Sequence, residues 1–128
     1  MTRLLIAGGG HSDVPLIQAA RNLGWTVATA GNRPDELGHR LSHVFLHCDY
    51  SDPQAVLAAA RQFRAEAVCA CCNDFSAVSC AFVAAELQLP GHVTRESCGR
   101  MHHMDRWRPF SGLAGLRGAR AVGCARVA

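Results

Sequence analysis

The chain has 128 residues, a formal net charge of +3, 49% apolar and 18% charged residues. That balance describes one globular domain large enough to bury a core, and it excludes a disordered or collagenous chain. All 13 Lys-plus-Arg positions are arginine, which excludes any Schiff base or lysine–phosphate contact within this polypeptide, and the absence of a dense basic stripe with aromatics argues against a nucleic-acid partner.

The opening MTRLLIAGGG carries too short an apolar run for a signal peptide or a membrane span. The expectation is a cytoplasmic protein with no membrane partner. The 7 cysteines are odd in number and irregularly spaced, so a disulfide framework is not expected and most should act as small buried apolar residues.

Arg3 to Ala7 is a short apolar run closed by Gly8-Gly9-Gly10, the form of a buried parallel strand and its turn. Ser12 or Asp13 suits the cap of a following helix, with Pro15 in its first turn. Val14, Ile17, Ala20 and Leu23 share a helical face, and Gly24 suits the position just past its end. Trp25 to Ala30 reads as a second strand, and Gly31 to Gly38 as a polar turn region. Val44 to Cys48 is a third strand. Asp52 then offers an N-cap, with Pro53 at the first helical position, for a helix to Phe63 whose buried face is Val56, Leu57, Ala60 and Phe63. Ala67 to Cys72 is a fourth strand, and Ser76 to Leu89 a helix with a broad apolar face, stopped by Pro90-Gly91. Thr94 opens a last helix that runs to about Arg108 and ends at Pro109.

Strands that alternate with helices imply an α/β fold: a Rossmann-like parallel sheet of about four strands with flanking helices and right-handed crossovers. Ligands in such sheets sit at the carboxyl ends of the strands. That points to Gly8–His11, Gly31–Arg33, Asp49–Ser51 and Asn73–Phe75. The domain covers 1–110. Residues 111–128 use seven residue types without periodicity and read as a low-complexity tail, disordered or translated out of frame.

Gly8, Gly9, Gly10 and His11 join a strand to a helix, where backbone N–H groups and the helix dipole favour an anion; a tight turn with no ligand accounts for them equally. The dinucleotide pattern G-x-G-x-x-G is not met, because Asp13 holds the third glycine position. Arg33 follows the second strand where an acid commonly holds a ribose; it suits a phosphate or a solvated loop. Asn73 and Asp74 end the fourth strand, and Asp74 suits a substrate amine or a helix cap. Cys69, Cys71 and Cys72 lack a C-x-x-C pair and read as core packing rather than a zinc site. His39, His43 and His47 recur every four residues but run into a strand, so half-buried or solvated histidines are expected. His102, His103, Arg106 and Arg108 read as the polar face of the last helix. Hydrolase triads, the phosphate-binding P-loop and H-E-x-x-H are absent.

Taken in order, LLIAGGGHSDVPLIQAARNLGW, NRPDELGHRLSH, CDYSDPQAVLAAA and ACCNDFSAVSCAFVAAELQLPG resemble the N-terminal domain of ATP-grasp ligases, of the carbamoyl-phosphate-synthase-large-chain-like and biotin-carboxylase-like kinds, over roughly Thr2 to Phe110. The resemblance implies an enzyme that uses ATP and Mg²⁺ to phosphorylate a carboxylate or bicarbonate for attack by an amine. It implies that this domain shapes the substrate side, through Gly8, Gly9, Gly10, Asn73 and Asp74, while a later domain holds the nucleotide. Met104 stands where the family has a lysine, and the elements that build the ATP site do not follow Phe110. The expectation is a chain truncated before its catalytic domain, inactive alone, with no cofactor of its own. Its expected partners are a small-molecule substrate and either the missing domain or a second copy. The alternative is a stand-alone nucleotide- or dinucleotide-binding module.

Overall fold

The computed structural model describes residues 1–119. Four strands, β1 (Arg3–Ala7), β2 (Thr26–Gly31), β3 (Val44–His47) and β4 (Ala67–Cys69), form one sheet in the order β3-β2-β1-β4. Every pairing is parallel. The helices are α1 (Val14–Asn22), α2 (Leu37–Leu41), α3 (Pro53–Phe63), α4 (Asp74–Leu87), α5 (Arg95–His102) and α6 (Met104–Leu113). The fold class read from the alternation of strands and helices is the one observed.

The pleat sorts the core into two layers. Leu5, Ala7, Ala28, Ala30 and Val68 face Val56, Leu57, Ala60 and Phe63 of α3 and Cys80 and Val83 of α4. Leu4, Ile6 and Val27 face the other way, onto Ile17 and Ala20 of α1. Successive strand residues point to opposite faces, so β1 and β2, covered on both sides, are apolar at most positions, with Thr29 the polar residue buried among them. Edge strand β3 has no fully buried residue. The four predicted positions on α3 are all buried, and Asp52 caps it as expected, accepting from the Gln54 N–H at 2.9 Å. Gly24 takes its positive φ of 74°, the left-handed turn after α1 that a side chain resists.

Several elements differ from the sequence reading. A single 3₁₀ turn, His11–Asp13, precedes α1. Asp13 occupies the cap position of α1 without capping it, because its carboxylate turns back to Gly10. Leu23 is exposed rather than on the buried face of α1. Within the expected turn region and the residues after it, α2 forms because Gly38 and His39 find burial against the first glycine turn. Strand β4 stops at Cys69, so strand alternation does not reach Cys71, and both Cys71 and Cys72 are exposed. The last helix is two: α5 ends at His102, the backbone of His103 is extended, and α6 passes through Pro109. The proline removes the N–H that would bond Asp105, an exposed residue whose carbonyl can turn to water. Residues 120–128 of the expected tail lie outside the described residues. Among the described residues no helix is long and apolar enough to cross a membrane.

Candidate functional site

The strand order places the site. The chain builds β1, β2 and β3 outward, then crosses to the far side of β1 to lay down β4. At that reversal the loops after β1 and β4 part and leave a crevice at the carboxyl edge. A cleft of about 130 Å³ lies there, lined by Gly8, Gly9, Gly10, Ser12, Asp13, Glu36, Tyr50, Cys72 and Asn73. A neighbouring cleft of about 270 Å³ is lined by Asn32, Asp49, Tyr50, Ser51 and Phe75, and Tyr50 belongs to both. Larger hollows lie on α5 and α6, one lined by Arg95, Glu96, Gly99, Arg100 and Arg106, away from the sheet edge.

The glycine turn is shaped by the protein's own side chains. Asp13 Oδ2 accepts from the Gly10 N–H at 2.9 Å, and a Cβ on Gly8 would lie 2.7 Å from that oxygen, at a φ of 143°. A Cβ on Gly9 would enter the His39 ring, 2.1 Å from Cε1. The Gly38 N–H donates to the Gly9 carbonyl at 2.7 Å. An internal carboxylate thus occupies the N–H that a phosphate would seek. The cleft carries the carboxylates of Asp13 and Glu36.

His39 connects this turn to the sheet. Its side chain is 2% exposed and packs on Phe45, with ring centroids 4.2 Å apart and the rings tilted by 42°. Nδ1 lies 2.9 Å from Thr29 Oγ1, and Thr29 Oγ1 lies 2.8 Å from Ser42 Oγ. Burial pushes the imidazole below its usual 6.5, against the upward pull of Glu36, Asp13 and Asp35. The linkage has a definite sign. Below pH 6.5 the unfolded chain takes a proton that the folded chain resists, so this stability is complete above that value and is lost as pH falls. We expect a loss of up to about 1.4 kcal/mol per pH unit over that window. Urea unfolding at about pH 7.5 and about pH 5.5 checks it: the pH difference should shrink in His39→Asn.

The predicted site residues divide. Gly8, Gly9, Gly10 and Asn73 meet in one cleft. Asn73, however, is the N-cap of α4: its Oδ1 accepts from the N–H groups of Phe75 and Ser76 at 3.0 and 3.2 Å, leaving Nδ2 to donate to the Tyr50 hydroxyl at 3.3 Å. Asp74 faces away from the cleft, with Oδ1 3.3 Å from His102 Nδ1. His11 is exposed and outside the lining. Arg33 is exposed at the rim, its NH1 4.0 Å from Glu36 Oε1.

Cys71 Sγ donates to the Ser12 carbonyl at 3.2 Å, tying the two loops of the crevice together. Partial burial, the Cys72 thiol and the Asp13 carboxylate push it up to about 11, so it is no thiolate nucleophile at neutral pH. Burial raises Cys69 in the same direction. Cys71 and Cys72 depart from the expected core packing because β4 ends before them.

His39, His43 and His47 do not converge: His39 is buried, not half-exposed as expected, His43 accepts from the Val27 N–H at 3.0 Å, and His47 is exposed at the end of β3. Among the described residues no three His, Cys, Asp or Glu side chains gather as a metal requires. Sequence reasoning missed Glu36 and Tyr50 as individual site residues. Tyr50 lay in a stretch marked by the carboxyl-edge rule, whereas Glu36 reaches the cleft only through α2.

The sequence matches no protein-family model and no curated protein. The fold has solved counterparts. Phosphoribosylglycinamide synthetase from Anaerococcus prevotii shares it with a TM-score of 0.81 at 22% identity, over 89% of this chain and 29% of its own. L-amino acid ligase from Bacillus licheniformis follows it with a TM-score of 0.74 at 19% identity, over 91% of this chain and 30% of its own. The biotin carboxylase domain of a single-chain bacterial carboxylase matches 98% of this chain and 31% of its own, with a TM-score of 0.71 at 20% identity. This chain spans under a third of the length of each. These neighbours are ATP-grasp enzymes, and the Rossmann-like fold is what they share with it.

Proposed function

We propose that this chain is the substrate-side N-terminal domain of an ATP-grasp ligase, of the carboxylate–amine kind related to carbamoyl phosphate synthase. One observation carries the reading: in a fold shared with ATP-grasp enzymes, a small polar cleft lies where the strand order reverses, lined by Gly8–Gly10, Glu36 and Tyr50. Its role is to hold and orient one small substrate, while another domain supplies the ATP and Mg²⁺ chemistry that activates a carboxylate. The described residues do not fit a nucleoside triphosphate: there is no lysine, the Gly10 N–H is taken by Asp13, and no acid cluster gathers for a cation. Exposed Met104, Phe110 and Leu113 along α6 support a further domain or a second copy packing there. Free thiols suit a reducing, cytoplasmic setting.

The test is an NMR titration of the 128-residue chain, with ATP hydrolysis measured in parallel. We expect no hydrolysis above the buffer blank and no saturable shift with Mg²⁺–ATP or NADH. Bicarbonate or small amino compounds should instead shift the amides of Gly8, Gly9 and Gly10. Saturable binding of ATP or NADH at that turn would overturn this reading in favour of a stand-alone nucleotide module. Silence toward every probe would also overturn it.

A further inference from the structure

We infer that Cys71 and Cys72 form a reversible modification site, at which a low-molecular-weight disulfide oxidises the two neighbouring thiols to a disulfide and so releases a tie across the crevice. The chemistry is independent of what the cleft binds.

Strand β4 delivers the pair. It stops at Cys69, and α4 starts at Asp74 with Asn73 as its cap, so Cys71 and Cys72 fall in the loop between them. Neither is held in a strand or a helix, and the chain bends at Cys72. Both are exposed. The other cysteines among the described residues are placed differently. Cys80 and Cys98 are buried, and Cys48 and Cys69 are half-buried. Cys69 also turns its thiol to the Ala70 carbonyl at 3.4 Å.

The two thiols are in hydrogen-bond contact but differ in their surroundings. Cys71 Sγ donates to the Ser12 carbonyl at 3.2 Å and lies beside the Asp13 carboxylate. Partial burial, the Cys72 thiol and Asp13 push Cys71 up to about 11, so its proton is held. Attack on a disulfide therefore falls to Cys72, which lines the cleft with Gly8, Gly9 and Gly10 and is reached from solvent.

The exchange balances with glutathione disulfide as the oxidant. Cys72 gives its proton to water and its thiolate attacks one sulfur of glutathione disulfide. That S–S bond breaks, a mixed disulfide forms at Cys72, and a glutathione thiolate leaves. Cys71 then gives up its proton, attacks Cys72 Sγ and expels the second glutathione thiolate. The two thiolates take up the two protons. Two protein thiols are oxidised, and one glutathione disulfide is reduced to two glutathione molecules. Adjacency makes the second step intramolecular, which offsets the held proton of Cys71. The ring formed is the smallest that a disulfide closes along a chain. Exposed or strained disulfides are readily reduced again, which suits a transient, redox-sensing bond in a reducing compartment.

Oxidation removes the Cys71 proton and with it the donor on the Ser12 carbonyl. That hydrogen bond joins the loop after β4 to the turn after β1, and Ser12 and Cys72 both line the cleft. The next residue, Asp13, holds the Gly10 N–H at 2.9 Å, so the change reaches the glycine turn.

The test treats the reduced 128-residue chain with glutathione disulfide at about pH 7.5. Remaining thiols are alkylated after denaturation, and the products are mapped by mass spectrometry. The segment holding Cys71 and Cys72 should be lighter by two hydrogens and carry no glutathione, with Cys69 and Cys80 alkylated. Dithiothreitol should reverse the change. The amides of Gly10 and Asp13 should shift on oxidation and return on reduction. Cys71→Ser keeps a hydroxyl donor for Ser12 and should stop at a glutathione adduct on Cys72. Cys72→Ser should react about tenfold more slowly than Cys71→Ser, because the proton of Cys71 is held. The mapping of the wild-type chain needs no variant to fold.

A lasting glutathione adduct on the wild-type chain overturns the proposal, as does a bond from Cys71 or Cys72 to another cysteine, or no oxidation at all. Amides of Gly10 and Asp13 that stay in place while the bond forms overturn the release of the crevice. Binding of Mg²⁺–ATP at the glycine turn would remove the substrate-side reading and leave this site standing.

Discussion

Leu5→Ala is expected to cost the fold about 2–5 kcal/mol. Leu5 is the middle residue of β1, is fully buried, and pairs with Ala28 on one side and Val68 on the other. Its side chain lies in the layer between the sheet and helices α3 and α4, with Val56, Phe63 and Val83 in the same cluster. Truncation removes three carbons and opens a cavity that a strand paired on both edges cannot collapse to fill. Domains of this size are stable by about 5–15 kcal/mol in total, so the loss is a large share. Urea denaturation should show a lower midpoint with an unchanged slope. Leu23→Ala is the control: Leu23 is 67% exposed, and its truncation should change stability by less than about 0.5 kcal/mol. A comparable loss at both positions would contradict the described packing of α1.

Gly9→Ala is expected to cost about 3 kcal/mol or more, at the upper end of overpacking effects. The new methyl would stand 2.1–2.6 Å from Cε1, Nδ1 and Nε2 of His39. That ring is held in place: Phe45 packs against it and the Thr29 hydroxyl holds Nδ1. The substitution must displace either the glycine turn, which lines the cleft, or α2, whose N-cap Glu36 lines it. A double-mutant cycle isolates the clash. With His39→Ala the ring is gone, so the double variant should be more stable than the two single losses predict, by about 0.5–3 kcal/mol. Strict additivity would mean that Gly9 is constrained by something other than His39.

These two expectations separate what was legible in the sequence from what was not. Leu5 was legible as core, since a run of four apolar residues followed by glycines suits a buried strand. Leu23 shows the limit of the same logic. Helical spacing put it on the face of Ile17 and Ala20, yet it lies at the C-cap of α1, where the chain turns away and water reaches it. Asn73 was legible as a carboxyl-edge residue but not as a cap, because only the start of α4 one residue earlier than its apolar run assigns its Oδ1 to two backbone N–H groups.

By itself the sequence determined the α/β class, the alternation of strands and helices, the buried face of α3 and the strand ends that border the cleft. These follow from local rules: a period of two or 3.6, a cap, a glycine where a side chain resists the turn. Only the tertiary structure decided the order β3-β2-β1-β4, the seat of His39 beneath Gly9 and the approach of Glu36 to the cleft. Each depends on residues far apart in sequence meeting, and no local pattern records such a meeting. The seat of His39 is the sharpest case. Its ring meets the hydroxyl of Thr29, itself 2.8 Å from that of Ser42, only when α2 packs on the sheet.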